Sequence, residues 1–317
     1  MVSDAVSNIM SVLSCSEKEA TMIVSKADAG GEISPTFTDM EWVQQRLLPN
    51  LVFLDESDYS KMCVDALKIL SKTAATDFGS SRQRDLGQLW ADMTRGYLGE
   101  MAFVKFLEKN GIKASLGHDV GELSDYLPMD IHSISKGKEA PRPPKIKIGI
   151  KATKWNGIWF DIPGDQFNHS DFHVLVKVGA GRDHLFSFFK SISVFKDKIL
   201  PKGREIGSLN ISESDAIYDA IPSLTPIPAY ICGYVQKSES FSELSYQGKK
   251  GRKHYTITAW NGPNMPGDLE KIKIKEAVTG NVQFESIGEF SHENGYLFNA
   301  GNLKWKKDDW TAVLSSI

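Results

Sequence analysis

The 317-residue chain holds 37 basic and 40 acidic residues and 41% hydrophobic ones, a balance that excludes both a uniformly basic nucleic-acid-packaging protein and a chain disordered over most of its length. No run approaches the roughly 20 apolar residues that a membrane span needs, and the first 14 residues lack the basic start and apolar run of a signal peptide, so a cytoplasmic protein is expected. Cys15, Cys63 and Cys232 are far apart and lack CxxC spacing, which argues against a disulfide framework or structural zinc and for reduced thiols.

Residues 1–80 read as mainly helical, with apolar positions three to four apart through 43–48 and 62–70 and polar interruptions such as Ala29-Gly30-Gly31-Glu32. A long helix is predicted over about 83–110, stopped by Gly111. Its apolar stripe is Leu86, Leu89, Trp90, Met93, Tyr97, Met101, Val104 and Leu107. Glu100 falls on or beside that stripe. A carboxylate facing an interior is costly unless it meets a cation, a metal or several donors, so it either flanks the stripe and pairs with Arg95 or Lys105, or serves a site.

Residues 128–134 read as a short strand. Residues 145–154 alternate strictly, with Ile146, Ile148 and Ile150 on one face and Lys147, Gly149, Lys151 and Thr153 on the other. Asn156-Gly157 is a strong two-residue turn signal, so residues 158–163 are expected to run back antiparallel as a hairpin. Residues 172–178 are apolar and β-branched enough for a central strand. Further strands are predicted at 185–189 and 230–235, with a helical or loop segment at 192–200. The last 80 or so residues alternate short β-like runs, such as 255–259 and 296–298, with Gly, Pro and Asn turns.

Charge is uneven. Lys136, Lys138, Arg142, Lys145, Lys147, Lys151 and Lys154 crowd residues 135–154 against the single Glu139, and Lys249, Lys250, Arg252 and Lys253 lie together near the C-terminus. Such patches neutralise phosphates even on an acidic protein, although Lys-rich loops are also commonly just solvated.

Hydrolysis of a phosphodiester calls for a divalent ion, an activated water and a cation near the scissile phosphate. Glu100 on a helix, Asp130 on one strand and Lys151 on the next supply such a set. The order Gly99-Glu100, then Pro128-x-Asp130, then Gly149-x-Lys151 resembles the PD-(D/E)xK nucleases, and in particular the type II restriction endonucleases. The resemblance spans residues 95–178, through the stretches 148–155, 159–163 and 169–178. It implies an α/β (α+β) fold with a restriction-endonuclease-like mixed sheet flanked by helices, and Mg2+-dependent cleavage of double-stranded DNA without a nucleotide cofactor. It also implies a homodimer. Asp130, Glu100 and the carbonyl of Ile150 would be metal ligands, with Lys151 orienting the water or steadying the phosphate.

The family's second carboxylate stands two residues before the lysine, where this chain has Gly149. In a hairpin turned at Asn156-Gly157, Asp161 would point away from Lys151, which leaves Glu100 as the substitute; a one-residue slip in register brings Asp161 back. The same gap leaves open a DNA-binding protein with a degenerate fold, and a structure-specific or repair nuclease. The expected organisation is a helical N-terminal region over 1–80 for DNA contact or dimerisation, a nuclease core over 81–235 and a β-rich extension over 236–317. Candidate DNA contacts are Arg82, Arg84, Lys154, Gln247, Lys249, Lys250, Arg252 and Lys253, residue types that bind phosphates or read base edges.

Overall fold

The computed structural model describes residues 2–77, 85–117, 130–181, 183–239, 244–247, 254–257, 274–276, 282–284, 288–290 and 294–317. In chain order the elements are α1 (Asp4–Leu13), α2 (Glu17–Ala29), α3 (Asp39–Glu41), β1 (Leu51–Leu54), α4 (Glu56–Asp77), α5 (Leu86–Lys109), β2 (Ile112–Leu116), β3 (Ile131–Lys136), β4 (Ile148–Lys154) and β5 (Trp159–Pro163). Then come α6 (Gly164–His169), β6 (Phe172–Val178), α7 (His184–Ser191), α8 (Leu200–Glu205), α9 (Ile211–Ala220) and β7 (Ile227–Gln236). The C-terminal part adds β8 (Leu244–Gln247), β9 (His254–Ile257), β10 (Ile274–Glu276), β11 (Val282–Phe284), β12 (Gly288–Phe290), β13 (Asn294–Asn299) and α10 (Lys307–Ser316). The fold is therefore mixed α and β, and no described helix is long and apolar enough to cross a membrane.

Two compact units interleave along the chain, where the sequence reading took its segments consecutively. The first comprises residues 1–52, 99–178 and 229–317, and the second 53–98 and 179–228. The central sheet has the order β1-β7-β6-β4, with β6 parallel to β4 and antiparallel to β7. Every residue of β6 is buried, as a strand covered on both faces must be. A bulge at Cys232 breaks the β6–β7 register. Next to it Gly233 has φ +139°, and a side chain there would meet the backbone of Lys304, so only glycine fits.

Three expectations from sequence are corrected. Residues 158–163 do form a strand, but β5 pairs with β13 in a separate sheet of order β5-β13-β9-β8 rather than with β4. The Asn156-Gly157 turn is present, closed by Gly157 N–H on the Lys154 carbonyl. It bends the chain without choosing a partner, and burial of Phe160 and Ile162 in the core that also holds Phe298 decides the pairing. The predicted strand at 185–189 is instead helix α7, a short apolar run that periodicity does not resolve. The stripe of α5 is only partly as expected: Leu89, Val104 and Leu107 are buried, Leu86 is exposed, and Leu98, Ala102, Phe103 and Phe106 are buried too. Gly111, at φ +78°, ends the helix as predicted.

The core of the first unit encloses charge. Lys177, the next-to-last residue of β6, donates to Glu32 Oε1 at 2.5 Å. Glu32 Oε2 accepts from the Tyr230 hydroxyl at 2.7 Å and from the Trp42 indole at 3.3 Å. Arg46 stands 3.9 Å from the same oxygen and donates to the carbonyls of Cys232 and Ala300. Burial alone would raise the Glu32 pKa, but Lys177 and Arg46, with the hydrogen bonds of Lys177 and Tyr230, hold it below the usual carboxylate range. Its stabilising contribution is thus present above the unfolded carboxylate pKa and lost as pH falls through the lower folded one. Breaking such a network strands a buried cation. Glu32→Gln is expected to lower unfolding free energy by about 3 to 5 kcal/mol at neutral pH, read as a lower urea midpoint, with the deficit shrinking toward acid pH.

Candidate active site

The site lies at β4, in the first unit. Ile148 and Ile150 are buried on one face of the strand, while Gly149, Lys151 and Thr153 share the other. The parallel register sets Gly149 beside His173 and Lys151 beside Leu175. β4 is the last strand of its sheet, and Asp130 sits on its free edge. The Asp130 N–H donates to the Ile148 carbonyl at 3.1 Å, and its carboxylate Oδ2 accepts from the Ile150 N–H at 2.5 Å. That pair of bonds fixes the carboxylate one residue from Lys151.

Glu100 is set by its neighbour. A Cβ built on Gly99 would lie 2.5 Å from Ala152 Cβ and 3.4 Å from Ala152 Cα, so α5 rests with its backbone directly on β4. Only glycine allows that approach. Glu100 follows immediately and is partly buried. Arg95 bonds Asp92 at 3.1 Å.

Electrostatics ties the set together. Desolvation pulls the Lys151 pKa below the usual lysine range, against the attraction of Asp130, then Asp161, then Glu100. Desolvation likewise lifts Asp130 to about 6, opposed by the Ile150 N–H and the Lys151 charge. Four elements thus bring three carboxylates into the field of one ammonium. The expectation that Asp161 points away from Lys151 is corrected: it assumed a β4–β5 ladder, and β5 pairs with β13 so that Asp161 lies opposite Leu297. Placement by a C-terminal strand carries no local sequence signal.

The glycine at the position of the family's second acid has a steric cause. A Cβ on Gly149 would lie 2.9 Å from Ser170 Oγ and 3.1 Å from His173 Nδ1. The buried His173 ring, stacked on Phe167 with Nε2 3.2 Å from the Phe167 carbonyl, takes the space into which an acid would extend. Desolvation, with a smaller push from Lys151 and Lys237, drops its pKa to about 4 despite hydrogen bonds to Phe167 and Ser170, so the imidazole is neutral beside Lys151 at neutral pH. Sequence reading passed over His173 because its role depends on the β4–β6 register.

No set of three or more His, Cys, Asp or Glu side chains among the described residues is placed to hold a metal ion. The donors present, Asp130 with Glu100 or Asp161 and the carbonyl of Ile150, are all oxygen. That chemistry fits a hard cation such as Mg2+. Of the basic residues, Lys136 donates to the Leu314 carbonyl and Arg142 to that of Ile317, which assigns them to the C-terminal end of α10. Lys138, Lys145, Lys147 and Lys154 are exposed. Pro128, Arg82, Arg84, Lys249, Lys250, Arg252 and Lys253 lie outside the described residues, and of Gln247 only the backbone, in β8, is described. The structure therefore joins Asp130, Lys151, Glu100 and Asp161, and leaves the expected base-reading residues apart from the description.

No family model, curated protein or solved structure matches this chain.

Two outcomes are expected. Gly149→Ala presses a methyl group into Ser170 and His173 and costs about 1 to 3 kcal/mol, measured as a drop in urea midpoint that Ser170→Gly in the same chain partly restores. Asp130 has a folded pKa raised above its unfolded value, so the protein loses stability as pH rises from about 4 through about 6. Metal-free Asp130→Asn should therefore melt higher than the parent at pH 7.5, with the gain vanishing near pH 4 in parallel thermal scans.

Proposed function

We propose that this chain is an Mg2+-dependent endonuclease that hydrolyses phosphodiester bonds of double-stranded DNA in the manner of a type II restriction enzyme. The observation that carries the reading is the Asp130 carboxylate, held by the Ile150 N–H one residue from Lys151 at the free edge of β4, with Glu100 and Asp161 near enough to act on the Lys151 charge. Surface ion pairs are common, but an ammonium and a carboxylate both shifted by desolvation at a strand edge are the mark of groups matched to a task. The resemblance of the Gly99-Glu100, Pro128-x-Asp130 and Gly149-x-Lys151 order to PD-(D/E)xK nucleases agrees with it.

Mg2+, when bound, supplies the positive charge that polarises the phosphate and eases loss of a proton from water. Asp130 would hold it together with the Ile150 carbonyl and either Asp161 or Glu100. The Lys151 ammonium, in the attractive field of three carboxylates, would lie against the scissile phosphate and steady the charge that builds there. A neutral His173 leaves that charge undiluted by a second cation. Exposed Lys138, Lys145, Lys147 and Lys154 would neutralise flanking phosphates, and their contribution falls as salt rises.

Asp130→Ala and Lys151→Ala are each expected to reduce Mg2+-dependent plasmid cleavage by at least about a thousandfold while DNA binding persists in a gel-shift assay; full cleavage by both would overturn the reading. Glu100→Gln and Asp161→Asn decide which acid has replaced the missing one. The true ligand is the one whose loss costs more activity and raises the Mg2+ concentration needed.

A second reading, a DNA-binding protein with a degenerate nuclease fold, is favoured by Gly149 and by the absence of a three-ligand group among the described residues. It predicts binding and no strand cutting with Mg2+, Mn2+ or Co2+.

A further inference from the structure

The oxygen donors available to a cation at Lys151 come from the free edge of β4 or from other elements. Asp130 is bonded to that edge through the Ile150 N–H, and a strand residue points its N–H and its carbonyl to the same side, so the Ile150 carbonyl faces the edge as well. Asp161 and Glu100 act on the Lys151 charge from β5 and α5. The sheet beneath Lys151 is different. Its neighbours along that face of β4 are Gly149 and Thr153, and the residues opposite the three are His173, Leu175 and Lys177. Thr153 packs under Gly157, Lys177 is committed to Glu32, and Leu175 is apolar and buried. Among the described residues this face therefore offers no carboxylate, and the group standing where one would extend from position 149 is His173.

The His173 ring is a fixed wedge. It is 2% exposed, lies on Phe167 with 5.0 Å between centroids and 8° between planes, and sets Nε2 3.2 Å from the Phe167 carbonyl. Phe167 is itself buried and stacked on Tyr296 of β13 at 3.8 Å. Swinging the imidazole aside would break that stack in a close-packed interior and strand a buried carbonyl. A side chain at 149 meets the ring with its first carbon, 3.1 Å from Nδ1. Sites that hydrolyse phosphodiesters with two cations hold them about 3.5 to 4 Å apart, each with its own oxygen ligands. Hard cations favour carboxylate, carbonyl and water over imidazole, so the wedge is no substitute for the acid it displaces.

We propose that His173 is a positioning residue that confines this site to a single divalent cation, held by Asp130 at the edge of β4. The ring acts through position 149: it keeps the Lys151 face of the strand free of a carboxylate and leaves ligands for one ion alone. This inference rests on the nuclease reading, and its test counts bound ions rather than strand cuts.

The full chain, titrated with Mn2+ and followed by electron paramagnetic resonance, is expected to bind one ion with the spectrum of an isolated centre and none of the exchange coupling of a close pair. Asp130→Asn should weaken that binding at least about tenfold. His173→Ala should still bind one ion, and so should Gly149→Asp with the ring in place. Gly149→Asp combined with His173→Ala puts an acid in the vacated space and should bind two, with coupling; a merely structural histidine would leave the count unchanged. A coupled pair in the parent overturns the inference and leaves the nuclease reading standing, as does a folded double variant that still binds one ion. Binding that is absent, or unmoved by Asp130→Asn, overturns both. If circular dichroism shows the double variant unfolded, the parent spectrum decides, an isolated centre supporting the inference and a coupled pair overturning it.

Discussion

Gly99 has no side chain, so the backbone of α5 lies against Ala152 with no room between them for even one methyl group. The site depends on this approach. A larger residue at 99 would lift the helix from β4 and carry Glu100 away from Lys151, while Asp130, bonded to the β4 backbone itself, would stay. The three acids therefore differ in how they are held. Asp130 is fixed by main-chain hydrogen bonds, Glu100 by a helix–strand contact and Asp161 by a strand from another sheet.

The adjacent strands β4 and β6 each carry a lysine with carboxylate neighbours, and their difference is informative. Lys177 lies opposite Thr153, two residues along β4 from Lys151. It is fully buried with Glu32, whose two oxygens receive Lys177, Tyr230 and Trp42. That closed network holds the segment around Glu32 to β6 and, through Arg46, to Cys232 and Ala300. Both Glu32 oxygens are taken by these donors. Asp130 and Lys151 are partly open to solvent, and desolvation pushes both toward their neutral forms. A carboxylate whose burial raises its pKa weakens the fold above that pKa. The same sheet thus carries one lysine enclosed in the core and another beside solvent.

What was legible in the sequence was what one strand or one helix decides alone. The alternation through Ile148, Ile150 and Lys151, the apolar run of β6, Gly111 as a helix stop and the pairing of Gly99 with Glu100 are all local signals. What was hidden depends on partners. Asn156-Gly157 specifies a bend, and a bend is compatible with either a hairpin or a crossing to another sheet; the buried Phe160 and Ile162 chose the second. Asp161 was misplaced for that reason alone. Gly149 read as a missing acid, although its meaning lay with Ser170 and His173, some twenty residues on, which the parallel register brings to it.

That register also explains why an acid near Lys151 would come from outside β4. With position 149 closed by Ser170 and His173, no side chain on the Lys151 face of β4 can extend toward the ammonium from that side. An acid must arrive from a neighbouring element. β5 carries one, and β5 is kept in place by its ladder with β13, from Trp159 opposite Asn299 to Pro163 opposite Gly295. The Asn299 side chain in turn accepts from the Gly301 N–H, and Gly301 packs on the backbone of Gly31, one residue before Glu32. The position of Asp161 is therefore tied through the C-terminal strand to the buried charge network, and the C-terminal residues belong to the architecture of the site rather than to an appendage of it.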